Sequence, residues 1–102
     1  MFYIYIIESM SDSKKFYVGY SSDPFRRIKE HNTKPFTTYT SKYRPWQLKA
    51  VFEISESEAE AIEMERFIKK QKSRILLQKL CNPGFQPDGF LAKLVRVPHV
   101  RD

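Results

Sequence analysis

Two apolar runs dense in β-branched and aromatic residues, Tyr3-Ile4-Tyr5-Ile6-Ile7 and Phe16-Tyr17-Val18-Gly19-Tyr20, flank the polar stretch from Glu8 to Lys15. Such residues suit the pleated surface of a sheet, and a polar joint between two such runs predicts a largely buried antiparallel hairpin. Ser22-Asp23-Pro24 follows, a capping residue with proline at the first helical position. It predicts a helix of about two to three turns reaching Asn32, with Phe25 and Ile28 as its apolar side. Leu48 to Ile54 then reads as a third strand. Ser55 and Ser57 each stand three residues before a glutamate, Glu58 and Glu60, so a capping box is available in either register. A long helix from Ser57 to Leu80 is expected, ended near Asn82-Pro83-Gly84. In the tail, Phe85 to Asp102, the residues Phe90, Leu91, Leu94 and Val95 recur at helical spacing as far as Pro98.

The expected fold class is therefore α/β (α+β), in the order ββαβα plus a C-terminal extension: a small three-stranded antiparallel sheet flanked by helices. Residues 1–85 form the domain, and residues 86–102 an extension packed on it or trailing it. No internal repeat, low-complexity segment or Gly/Ser-rich linker divides the chain.

At 102 residues the chain has room for one small domain, and 41% hydrophobic against 29% charged residues excludes disorder. A single cysteine, Cys81, excludes an internal disulfide and a cysteine-based zinc site and fits a reducing compartment. The apolar run at the N-terminus stops at Glu8, well short of a signal peptide or membrane span, so a soluble, cytoplasmic protein with no membrane partner is expected.

The net charge of +6 makes a polyanion a plausible partner, and its distribution says more. Residues 21–50 carry seven basic and two acidic side chains, 51–65 six acidic and no basic, and 66–80 six basic and no acidic. An acidic start and basic end suit a helix macrodipole, which accounts for the later blocks without invoking a ligand. The first block is different: Lys34, Lys42 and Arg44 alternate with Phe36, Tyr39, Tyr43 and Trp46, and cations interleaved with rings suit phosphate and base contacts.

Three features are not explained by packing. Glu65 has Ala61, Ile62 and Ile68 at its i−4, i−3 and i+3 positions, so it projects from an apolar stripe. A carboxylate there must be paired, protonated or metal-bound, and Lys69 at i+4 is the simple partner. Arg27 and His31, spaced i, i+4, share a helix face and can present a fixed cation and a titratable imidazole to a phosphate, or simply face solvent. Strand alternation puts Tyr3 and Tyr5 on one face, and Gly19 within a strand marks close approach of a backbone or ligand. His99, beside Pro98, is read as structural or exposed.

A Tyr3-Ile4-Tyr5 strand, a Tyr17-Val18-Gly19 strand, the helical Arg26-Arg27-Ile28-Lys29-Glu30-His31-Asn32, then Arg44-Pro45-Trp46, Glu65 with Lys69, and Asn82-Pro83 together resemble the GIY-YIG nuclease superfamily. The likeness spans about residues 2 to 85. It is nearest to the small single-domain branch similar to the UvrC N-terminal domain and the Slx-type endonuclease domain. Tyr3 departs from the glycine of the family name. Tyr20 stands where UvrC-like members carry a lysine, so one cation of the site is either missing or supplied from elsewhere.

The resemblance implies a metal-dependent endonuclease hydrolysing DNA phosphodiester bonds in DNA repair or processing. Glu65 is then the ligand of Mg²⁺ (or Mn²⁺), and Arg27 binds the phosphate. Tyr5 is general base or water-orienting group, Tyr17 hydrogen-bonds to the site, and His31 assists proton transfer. An ordinary phenol is a poor base at neutral pH, so either nearby cations lower the pKa of Tyr5 or the proton passes to His31. Gly19 and Asn82 support the site, and Lys34, Lys42, Arg44, Lys69, Lys70 and Lys72 grip the nucleic-acid backbone. Two alternatives stay open. One is a nucleic-acid-binding module on the same scaffold, its catalysis lost or dependent on a partner protein that supplies substrate specificity. The other is an interaction protein whose aromatics serve a protein partner.

Overall fold

The structure is a computed structural model and describes residues 1–12, 15–34 and 39–98; Phe36 and His99 lie outside the described residues. Strands β1 (Phe2–Ser9) and β2 (Phe16–Ser21) form the expected hairpin, in a register that sets Tyr5 opposite Gly19 and Ile7 opposite Tyr17. Strand β3 (Trp46–Ser55) pairs antiparallel on the other side of β1, with Val51 opposite Tyr5. The central place of β1 explains its unbroken apolar run. Ile4, Tyr5, Ile6 and Ile7 are each no more than 1% exposed, because alternate side chains of a strand covered on both faces enter two cores.

On one face Ile4, Ile6, Val18, Ala50 and Phe52 pack against Met64 and Ile68 of α3 (Glu58–Lys70) and Leu80 of α4 (Arg74–Cys81). On the other, Tyr5, Ile7, Trp46 and Val51 pack against Ile28 of α1 (Pro24–Thr33). Burying one such side chain is worth about 1.5–3 kcal/mol, and a one-residue slip would turn every one of them to the wrong face. Packing therefore fixes the register. The Asp23 side chain accepts from the Arg26 amide at 3.1 Å to cap α1, with Pro24 in its first turn. A single turn, α2 (Tyr39–Lys42), and a cis Arg44–Pro45 peptide lie before β3.

The structure departs from the sequence expectation in three places. First, the inward face of α1 carries Pro24, Ile28 and His31, while Phe25 is 52% exposed. The helix is rotated so that an imidazole with a hydrogen-bond partner is buried, and the larger apolar ring is left outside. Second, the expected long helix is broken: α3 ends at Lys70, Lys72 adopts φ +50°, and Ser73 starts α4 by accepting from the Leu76 amide at 3.0 Å. The capping serine offers the backbone an alternative to continuing, and the new direction brings Leu80 onto the core. Third, the tail is not one helix. A 3₁₀ turn (Gly89–Lys93) leads to buried Leu94 and then to β4 (Val95–Arg96), which pairs with β3 at Phe52 and Glu53.

The sheet is thus four-stranded, in the order β2-β1-β3-β4, within the expected α+β class. Arg96 anchors the added strand: its guanidinium lies 4.8 Å from the Phe52 ring centroid and donates to the Leu80 and Asn82 carbonyls. Among the described residues no helix is long and apolar enough to cross a membrane.

Lys72 pays a left-handed penalty that glycine escapes. Lys72→Gly is expected to raise stability by up to about 1 kcal/mol, or about 4–8 °C in Tm, as read by thermal unfolding.

Candidate active site

Gly19 leaves the space that Tyr5 occupies: a Cβ at position 19 would lie 2.4 Å from Tyr5 Oη and 2.5 Å from its Cζ. The Tyr5 ring therefore lies across the backbone of the edge strand β2, and its hydroxyl meets His31 Nε2 of α1 at 2.7 Å in a buried contact. Burial pushes the Tyr5 phenol well above its ordinary range; Tyr17, Glu65 and Glu30 push the same way and Arg27 opposes them. Burial also pushes the His31 imidazole down to about 4, aided by Arg27 and Arg44 and opposed by Glu30. Both groups are uncharged at neutral pH. Either partner can then donate, according to which imidazole nitrogen carries the ring proton.

Tyr17 places its ring edge-on to His31, 4.9 Å between centroids, and 6.5 Å from Tyr5. Charged groups approach this neutral pair from two helices. From α1, Arg27 Nη1 contacts Glu30 Oε1 at 3.0 Å, while Arg26 Nη1 contacts Glu30 Oε2 at 2.9 Å. Burial alone would push Glu30 up, but the two guanidiniums outweigh it and hold the carboxyl below its usual range. From α3, Glu65 pairs with Lys69 at 3.2 Å, and its side chain is only 17% exposed. The Lys69 ammonium also lies 5.0 Å from the Tyr17 ring centroid, so it bridges the carboxylate and the aromatic cluster. Arg27 and Glu65 both act on the Tyr5 hydroxyl electrostatically, so α1 and α3 each bring a charged group to one locus.

The structure thus brings together Tyr5, Tyr17, Gly19, Arg27, His31, Glu65 and Lys69. Lys34, Lys42 and Lys70 are surface side chains, with the Lys42 ammonium 5.4 Å from the Tyr43 ring centroid. Arg44 is committed elsewhere: its Nε donates to the His31 carbonyl at 2.6 Å and its Nη2 to the Lys34 carbonyl, closing the end of α1. Asn82 caps the end of α4, its Oδ1 accepting from the Gly84 amide at 2.9 Å, and none of its hydrogen bonds reaches the Tyr5–His31 pair. Tyr20 donates to Glu58 at 3.0 Å.

The spacing of the chain does not single out Asn32 as a support. It makes two hydrogen bonds to the Trp46 backbone, Nδ2 donating to the carbonyl at 3.1 Å and Oδ1 accepting from the amide at 2.7 Å. Together with Arg44 it fixes the end of the helix that carries His31. No local pattern announces such contacts, because both partners lie more than ten positions away in sequence.

Among the described residues no group of three or more His, Cys, Asp and Glu side chains could together hold a metal ion. Glu30 is neutralised by two arginines and Glu58 holds Tyr20, whereas Glu65 has a single lysine partner. A lone hard carboxylate fits Mg²⁺ or Mn²⁺, which keep several waters and take further ligands from substrate phosphates, and does not fit a closed zinc centre.

A family model described as the GIY-YIG catalytic domain matches residues 1–80. The structure-specific endonuclease subunit SLX1 of Meyerozyma guilliermondii is 31% identical over 74 residues, covering 69% of this chain and 25% of that protein. A structure-specific endonuclease subunit SLX1 homolog of Giardia intestinalis is 38% identical over 48 residues, 45% of this chain and 13% of its own length. A UPF0213 protein of Haloquadratum walsbyi is 35% identical over 82 residues, 80% of this chain and 88% of that protein. The chain therefore spans a quarter or less of these two SLX1 proteins and most of the UPF0213 protein.

Two outcomes follow from the geometry. Because the folded His31 titrates near 4 and a free imidazole near 6.5, the unfolded chain binds the extra proton between these values. Its contribution is complete above about pH 6.5 and is lost as pH falls toward 4, at most about 1.4 kcal/mol per pH unit. Urea midpoints of wild type and His31→Gln across this window should converge at the acidic end; parallel curves would refute the assignment. Gly19→Ala forces its methyl into the Tyr5 ring and is expected to cost about 1–3 kcal/mol in the same assay.

Proposed function

The chain belongs to the GIY-YIG catalytic domain family, and from that premise we propose that it is a metal-dependent endonuclease hydrolysing DNA phosphodiester bonds in DNA repair or processing. The observation that carries this reading is the buried, uncharged Tyr5–His31 hydrogen bond within electrostatic reach of both Arg27 and Glu65. A neutral donor–acceptor pair within reach of a guanidinium and a carboxylate has the parts that in-line hydrolysis of a phosphodiester requires.

Tyr5 does not act as a preformed phenolate, since burial raises its pKa. It relays instead: Oη accepts a proton from the attacking water while its own proton passes along the 2.7 Å hydrogen bond to His31 Nε2. Charge then sits on the imidazole, not on a buried phenolate. Arg27 and Arg44 oppose that charge in the free protein. An incoming phosphodiester opposes the arginines in turn, so substrate itself raises the proton affinity of His31. Arg27 binds the phosphate and stabilises the charge growing on it, a task for a guanidinium that stays protonated. Tyr17 positions the imidazole edge. Glu65 would hold the divalent cation, Mg²⁺ or Mn²⁺, which when bound neutralises the scissile phosphate and the leaving oxygen. Lys69 turns from Glu65 toward the phosphate, standing in for the lysine that Tyr20 replaces. Lys34, Lys42 and Lys70 contact the backbone further out, while Arg44 acts by fixing α1.

The relatives named as structure-specific endonuclease subunits support the nuclease reading and, through the word subunit, a partner protein; DNA as the substrate and specificity supplied by that partner are part of the proposal. The single thiol of Cys81 fits a cytoplasmic setting. The Glu65–Lys69 ion pair favours a second reading, a nucleic-acid-binding module that cuts only once a partner separates the pair.

Cleavage of a panel of branched, flapped and plasmid DNA with Mg²⁺ or Mn²⁺ tests the first reading. Wild type is expected to nick, and Tyr5→Phe or His31→Ala to be slowed about 10²–10⁴-fold. Glu65→Gln and Arg27→Ala should be inactive with unchanged far-UV circular dichroism. Wild-type protein that binds every substrate and cuts none overturns this reading in favour of the second.

A further inference from the structure

Beside the Tyr5–His31 pair, on the far side of Tyr17, lies an open pocket of about 360 Å³ between β2, the α2 turn and the α3–α4 junction. Its rim carries Lys15, Lys69, Lys72 and Arg74, and none of the described residues that line it is acidic. Lys69 is paired with Glu65, and the Lys15 ammonium lies 5.2 Å from the Tyr43 ring centroid. Lys72 and Arg74 form no ion pair among the described residues. These two cations stand at the backbone break itself, Lys72 as its left-handed residue and Arg74 as the first residue of α4. Tyr17 and Tyr39 both line it as a stacked pair, 6.3 Å between centroids and 29° between planes. The floor is apolar, formed by Val18, Ile68 and Leu77.

We propose that this pocket is a nucleotide subsite, taking one unstacked nucleotide next to the phosphate that is cut. The proposal rests on the endonuclease reading and adds to it a preference for strands with an unpaired residue beside the cut. Cations concentrated without a carboxylate call for an anion, and two of them are unspent. An anion alone does not use tyrosine rings and an apolar floor. A flat heteroaromatic base joined to a phosphate uses both, stacking on the rings while the rim holds the phosphate. Bases stacked inside an intact duplex cannot enter. Tyr17 and Lys69 belong to both the pocket and the Tyr5–His31 site, so a nucleotide in the pocket puts its neighbouring phosphate beside Arg27 and Glu65.

A 5′-phosphorylated trinucleotide, titrated into ¹⁵N-labelled wild-type protein in EDTA so that no cutting occurs, tests this. The expected amide shifts fall on Tyr17, Tyr39, Lys69, Lys72 and Arg74. Lys72→Ala and Arg74→Ala should each weaken trinucleotide binding about tenfold and lower the salt slope by about one, while binding of a blunt duplex changes less than about twofold. Arg74→Gln should match Arg74→Ala if charge is what matters. Shifts confined to residues outside the pocket overturn the proposal. So does equal weakening of duplex and trinucleotide, or an identical response to inorganic phosphate. Cleavage is scored separately: a filled pocket with no cutting refutes the endonuclease reading alone, and cutting with an unfilled pocket refutes the subsite alone.

Discussion

A buried phenol and a buried imidazole are each costly unless the other is in place, since an unpaired polar group in a core loses about 1–3 kcal/mol. The Tyr5–His31 hydrogen bond therefore constrains much of the surrounding architecture. Position 19 must lack a side chain so that the Tyr5 ring can cross β2. Helix α1 must turn His31 inward, even though this leaves Phe25 in solvent. The end of that helix must be held, which Arg44 does through two carbonyls and Asn32 through the Trp46 backbone. A stretch that looks like ordinary strand, helix and loop is organised around one proton.

How much of this could be read along the chain depended on the range of the interaction. The hairpin was legible because β-branched and aromatic residues fill two short runs, and the start of α1 because Asp23 and Pro24 act within one turn. The i, i+4 relations of Arg27 to His31 and of Glu65 to Lys69 were legible for the same reason. The α3–α4 break was not: no glycine or proline marks it, and the left-handed residue is a lysine. Strand β4 is two residues long, below any useful period, and its anchor Arg96 bonds to carbonyls in and just beyond α4. Arg44 read as one more cation for phosphate because a sequence does not show that a guanidinium is already occupied by a helix end.

Charge is apportioned in the same local way. The net charge of +6 is not spread evenly over the molecule. Around the buried pair each carboxylate is met by a cation or phenol: Glu30 by two arginines, Glu65 by Lys69, Glu58 by Tyr20. Part of the surplus appears on the rim formed by Lys72 and Arg74, where none of the described lining residues is a carboxylate. Neutrality at the proton relay and unbalanced charge beside it are compatible because burial governs the first and solvent the second.

The pairing of Asn32 with Trp46 has one more consequence. The side chain copies the donor and acceptor of a neighbouring strand, and a carboxamide, unlike an imidazole, presents the two side by side from one planar group. Asparagine is also the residue that ages by losing its amide nitrogen. Deamidation at position 32 would leave an acceptor-only carboxylate facing the Trp46 carbonyl, releasing the helix that carries His31 without altering any residue of the relay. Stored protein could therefore lose its geometry through a mass change of a single dalton, at a residue that takes no part in the relay itself.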